Sequence, residues 1–146
     1  MSLDISVASN GVRSPLGRER IANIARRVLR AEQIPAALVS VTLLGPREMA
    51  RLNKTHLGHG GPTDVISFGF TRATPRDPVV GDVYLCPDVG RANARARRVP
   101  IREELSRLVV HGVLHVLGHD HPTGGDREAS PMWLRQEQLL ERIAGR

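Results

Sequence analysis

The run HGVLHVLGHDH, from His111 to His121, constrains this chain more than any other segment. His111 and His115 stand four residues apart, so on a helix they project from one face about one turn from each other. Gly118 follows three residues after His115. A glycine takes a left-handed backbone angle at little cost, so the helix ends there and the chain turns back. That turn brings His121 round toward the first two imidazoles. Three neutral imidazoles converging from one side suit a divalent metal, zinc first, with a fourth position left to water; that open position separates a catalytic site from a structural one. His119 offers another imidazole beside His121 and is the alternative third ligand, although the spacing across the glycine favours His121. Paired histidines on an apolar helix are also common as ordinary core or surface residues. The third histidine and the glycine between are what point to a metal.

The rest of the pattern predicts one α+β domain over residues 1–146, a small four-stranded mixed sheet packed by about five helices. Leu3, Ile5 and Val7 alternate with polar residues as an opening strand. Ser14-Pro15 reads as a helix start, with an apolar stripe from Leu16 to Leu29 and an end near Glu32. Ala37–Leu44, Val65–Phe70 and Val79–Leu85 read as further strands, and a short helix begins at Pro46. Thr71–Pro78 is an exposed connection. Helices follow over Asp88–Arg98 and Ile101–Leu117, the second burying Leu105, Leu108, Val109, Gly112, Val113 and Val116, and a last helix runs to about Ile143.

Composition narrows the partners. The net charge of +6 points toward a polyanion such as nucleic acid, while an aromatic content of 3% argues against many base-stacking platforms. Cys86 is the only cysteine, so no intrachain disulfide forms and a reducing compartment is expected. With no signal-peptide pattern at MSLDISVASN and no apolar run of roughly 20 residues, the expectation is a cytoplasmic protein without a membrane partner. Arg91, Arg95 and Arg98 fall along one side of a helix, with Arg97 and Arg102 nearby. They form either an RNA-tracking ridge or a solvated face. Arg26, Arg27 and Arg30 are a second basic group. Cys86, Met132 and Trp133 read as core.

Four separated segments carry a resemblance. HGVLHVLGHDH resembles the HGxLHLxGYDH signature of the YbeY family of bacterial rRNA maturation factors, and EEL at Glu103–Leu105 fits its approach helix. PTDVISF at Pro62–Phe68 is similar to the family's PTDVLSF, and GDVYLCPD at Gly81–Asp88 to its GDIxICPE. The resemblance implies one Zn²⁺ per chain on His111, His115 and His121. It also implies single-strand-specific endoribonuclease activity in 16S rRNA 3′-end maturation and ribosome quality control. The implied partners are rRNA, the small ribosomal subunit and its assembly factors. One departure stands out. Where the family commonly reads LNxxYRGxDxPTDV, this chain reads LNKTHLGHGGPTDV, with His56 at the aromatic, Leu57 at the arginine and Gly60 at the aspartate position. A leucine neither neutralises nor hydrogen-bonds a phosphate. His56, His59 and Arg51 are the neighbouring residues able to supply other RNA contacts.

The spacing is also similar to HExxHxxGxxH of metzincin proteases, whose glutamate is the general base. Gly112 occupies that position here, so a peptidase would lack its base. No side-chain base is assigned: the expected catalytic group is metal-bound water, or the RNA's own 2′-hydroxyl attacks instead. Asp120 and Asp64 are candidates to orient ligands from behind, Asp64 with a strand-end hydrogen bond as its alternative role, and Ser67 lies near the same strand. The readings therefore rank as a metal-dependent endoribonuclease, then a ribosome-assembly RNA-binding factor with a mainly structural metal, then a metalloprotease.

Overall fold

A computed structural model of the chain describes residues 2–120 and 127–144. The elements in chain order are β1 (Leu3–Ser9), α1 (Arg18–Ala31), β2 (Ala37–Leu43), α2 (Pro46–Leu57), β3 (Val65–Gly69), β4 (Val79–Leu85), α3 (Pro87–Arg97), α4 (Ile101–Val116) and α5 (Pro131–Ala144), with a 3₁₀ turn at Arg127–Ala129. The strands form one mixed sheet in the order β1-β2-β4-β3. β1, β2 and β4 run parallel, and β3 closes the edge antiparallel to β4, Ser67 lying opposite Val83. Parallel neighbours need long crossovers. Here α1 links β1 to β2, and α2 with β3 lies between β2 and β4. The α+β architecture expected from the sequence is the one observed.

Period-2 alternation fixes which sheet face is covered. Val39, Val41 and Leu43 on β2 and Val83 and Leu85 on β4 are buried, whereas Leu38 and Val80 between them are exposed. α1 buries Ile21, Ile24, Ala25, Val28 and Leu29, the i, i+3, i+4 stripe of an amphipathic helix. α4 differs. It contacts β3, β4, α1, α3 and α5, and all of its residues from Glu104 to Val110 are buried. A helix enclosed on so many sides is apolar nearly all round, which is why LVVHGVLHV shows so little polar face. Its position is therefore fixed by the core, and so are the side chains it presents.

Some boundaries differ from the sequence expectation. α1 starts at Arg18, not at Ser14-Pro15, because the Ser14 hydroxyl is engaged in a local turn, accepting from the Leu16 amide at 3.2 Å and donating to the Leu16 carbonyl at 2.8 Å. α3 ends at Arg97, one residue early, since Arg98 takes the left-handed cap conformation at φ 60°. Arg98 thus leaves the helical ridge that its spacing to Arg91 and Arg95 implied. Arg27, from the second basic group, is engaged within the fold: with Arg20 it donates to the carbonyl oxygen of Ile143 at 3.2 Å, satisfying the end of α5.

Candidate functional site

One stripe of α4, Glu104, Arg107, Leu108, His111 and His115, forms the floor of a cleft of about 660 Å³. The spacings in that stripe are three or four residues, so the side chains share a face. Trp133 and Gln136 of α5 line the same cleft, as do Arg97 from the end of α3, Leu57 from the end of α2, and Thr63 to Ser67 leading into β3. Asn53, 5% exposed, donates to the Gly61 carbonyl at 2.9 Å and so ties the approach to β3 back onto α2.

The paired histidines sit as their spacing predicts. The rings of His111 and His115 lie 4.6 Å apart between centroids, at 74° to each other. After Val116 the helix ends with Gly118 at φ +98°, its amide donating to the His115 carbonyl at 3.0 Å, which is the glycine turn expected from the sequence. His121 lies outside the described residues. Among those described, no three histidine, cysteine or carboxylate side chains converge on one point. His119 points elsewhere, its Nε2 3.6 Å from the Glu32 carboxylate beyond α1, and it does not line the cleft. The Asp120 carboxylate is 3.6 Å from His115 Nδ1 and is 89% exposed.

The neighbours of His111 determine which of its nitrogens carries the proton. Gln136, 1% exposed, places its Oε1 2.6 Å from His111 Nδ1, while its Nε2 donates to Glu137 Oε2 at 3.0 Å. Glu137 is an ionised acceptor, gripped by Arg107 through Nε at 2.9 Å and Nη2 at 3.1 Å. A carboxylate cannot donate, so the Gln136 amide must turn its NH₂ toward Glu137 and its oxygen toward His111. His111 Nδ1 then carries a proton, and in the neutral imidazole Nε2 carries the lone pair. Nothing in the local sequence announces Gln136. The signal is tertiary, because 25 residues separate it from the histidine it orients.

Arg107 is also held by Glu104 at 2.6 Å and Glu103 at 3.3 Å. Burial would lower its pKa, but the bonds to Glu137 and Glu104 outweigh that and hold it above its ordinary value. Burial pushes the Glu104 carboxyl up, opposed by its hydrogen bond to Arg107. The cluster is engaged throughout: among the described residues no buried side-chain nitrogen or oxygen lacks a partner. It is scaffolding for the cleft floor, with Gln136 as its link to His111.

Gly112 has a steric reason. A Cβ at this position would come within 2.7 Å of Val83 Cγ1 and 3.2 Å of Ser67 Oγ. The Ser67 hydroxyl donates to the Gly112 carbonyl at 2.9 Å, pinning β3 to α4. A glutamate here would be driven into the sheet, so the steric account of Gly112 agrees with the sequence argument against a zinc-peptidase base.

The remaining expectations divide. Asp64 borders the cleft, but Oδ1 accepts from the Val65 amide at 2.7 Å and Oδ2 from Asn93 at 2.9 Å, so it holds the strand end to α3. His56 and His59 are exposed and neither lines the cleft; His56 packs edge-on against Phe68 at 5.2 Å. Arg91, Arg95 and Arg98 are exposed away from the cleft, while Arg97 enters it. Met132 is core at 3% exposure, whereas Trp133, expected in the core, is only part-buried and forms a cleft wall.

Along nearly its whole length the chain is similar to known proteins. The family model described as Endoribonuclease YbeY matches residues 8–144. An Endoribonuclease YbeY from Frankia casuarinae is 39% identical over 147 residues, spanning 93% of this chain and 72% of the relative. Another from Thermobifida fusca is 37% identical, spanning 96% and 92%. A Thermotoga maritima protein solved in solution superposes with a TM-score of 0.65 at 27% identity, covering 97% of this chain and 89% of that one. Sequence motifs, fold and relatives converge, and the chain belongs to the YbeY endoribonuclease family.

Proposed function

We propose that this protein is a metal-dependent endoribonuclease that cuts single-stranded RNA, acting in 16S rRNA 3′-end maturation and ribosome quality control. The observation that carries the reading is the His111–His115 pair on the cleft floor, with His111 oriented from behind by Gln136, in a chain of this family. The donor set fits a divalent cation: neutral imidazole is a common zinc donor, and a second hydrogen bond that fixes the ligand tautomer is the usual companion of such a site. His111, His115 and His121 would hold one Zn²⁺ per chain, which supplies Lewis-acid stabilisation to a phosphodiester when bound. The chain's own contribution is orientation. Gln136 keeps the His111 lone pair on Nε2, and α4, enclosed by the core, keeps the two rings a turn apart. Asp64 and Glu104 are committed to structural bonds, and position 112 has no side chain, so no carboxylate base is assigned. The proposed setting is the cytoplasm, with the small ribosomal subunit and its assembly factors as partners.

The test compares cleavage of single-stranded and duplex RNA by the wild type and by His115→Ala after zinc loading. The expected result is cleavage of single strands by the wild type and loss in the variant. Equal cleavage by both overturns the reading. Product ends then identify the nucleophile: a 2′,3′-cyclic phosphate marks attack by the substrate's 2′-hydroxyl.

A further inference from the structure

Arg97 is held in an unusual way for a cleft-lining arginine. Its guanidinium carbon sits 4.9 Å from the centroid of the Trp133 ring, so the indole covers one side of the cation. Two of its three nitrogens also face carboxylates. Nε lies 3.4 Å from Glu104, which is 1% exposed and anchored to Arg107, and Nη1 lies 3.3 Å from Glu128. The side chain is nonetheless 36% exposed and borders the cleft that holds His111 and His115. With the indole on one side and carboxylates at two nitrogens, the side left for a ligand among the described residues is the one turned away from the indole.

That geometry selects the chemistry of the ligand. A phosphate would approach a guanidinium already ion-paired with Glu104 and Glu128, placing like charges side by side. A nucleobase is neutral and flat, and bases stack on guanidinium planes as readily as on aromatic rings. The other cleft arginine, Arg107, is 7% exposed and engaged with three carboxylates. Leu57, 49% exposed on the cleft wall, adds apolar surface that suits a base and offers nothing to a phosphate.

We infer that the Trp133–Arg97 stack is a nucleobase subsite of the cleft, taking one unpaired base of the RNA on the outer side of the Arg97 guanidinium. The inference rests on the endoribonuclease reading and adds a contact to it. It accounts for a preference for single strands, since a paired base has no face to offer.

Trp133 is the only tryptophan, so its fluorescence reports directly on this subsite. The experiment titrates the full-length protein with a 2′-O-methyl oligoadenylate pentamer and with an abasic pentamer of the same backbone. Wild type, Arg97→Gln and Arg97→Lys are compared, with thermal melts to verify folding. Stacking of one base is worth about 1 kcal/mol or more, so the abasic strand should bind the wild type roughly fivefold or more weakly than oligoadenylate. Arg97→Lys keeps the charge and loses the plane, and should lose the same factor for oligoadenylate and nothing for the abasic strand. Equal loss for both strands, or Arg97→Lys binding oligoadenylate like the wild type, overturns the inference. Single-strand cleavage is assayed in parallel: if the wild type cuts RNA while Arg97→Lys binds undiminished, only this subsite falls. If the wild type neither binds nor cuts, the nuclease reading falls with it.

Discussion

Replacing Gln136 with leucine tests the orientation of His111 directly. The substitution keeps the volume approximately and removes two bonds, the 2.6 Å contact to His111 Nδ1 and the 3.0 Å bond to Glu137. Glu137 retains Arg107 on both oxygens, so the chief loss falls on the imidazole. Without its acceptor, His111 no longer has a reason to keep the proton on Nδ1, and its ring is freer to turn. Loss of such a partner behind a metal ligand typically weakens metal binding 10- to 100-fold, about 1.4–2.7 kcal/mol. Folding should also suffer by about 1–3 kcal/mol, because the part-buried His111 Nδ1–H loses the acceptor that Gln136 supplies. Zinc affinity is measured by chelator competition, and the tautomer in the metal-free protein by long-range ¹H–¹⁵N correlation spectra. The companion variant Gln136→Glu still accepts from His111 but sets a second carboxylate beside Glu137. It should keep the Nδ1–H tautomer and more zinc affinity than the leucine variant while losing stability. If Gln136→Leu binds zinc within about twofold of the wild type and His111 remains protonated on Nδ1, the orienting role is refuted.

Three further outcomes follow from the packing. Gly112→Ala should destabilise the fold by about 1–3 kcal/mol in urea titrations, since its methyl meets Val83 and Ser67. Arg107→Leu should cost about 3–5 kcal/mol by taking the cation from Glu137 and leaving buried Glu104 only its 3.4 Å contact to Arg97, and adding Glu104→Gln should recover part of the loss. Cys86 is fully buried and burial pushes its thiol pKa up, so iodoacetamide at pH about 8 should label it only as fast as the protein opens, with prompt labelling in urea.

The parts of the site carried by local periodicity were legible in the sequence. α4, its two histidines a turn apart and the stop at Gly118 follow from spacing and one backbone preference, and the strands follow from alternation. What escaped depends on which distant helix lies alongside. Trp133 read as core because nothing local says that α3 ends beside it, and Arg97 seemed secondary to a ridge that Arg98 leaves by turning left-handed. Gln136 was invisible for the same reason. The spacing favours His121 as third ligand with His119 as the alternative, and only the tertiary packing shows that His119 lies beside Glu32. Ser14 was misplaced as a helix start because a serine that closes its own small turn has the same signature as one that caps a helix.

The trench is walled by pieces far apart along the chain, and α5, the last described element to be made, contributes both the Trp133 indole of its wall and the Gln136 amide behind His111. A nascent polypeptide that has passed α4 but not α5 therefore carries the imidazole pair without Gln136 and Trp133. On the proposed function, the cleft is complete only once α5 has packed against α4.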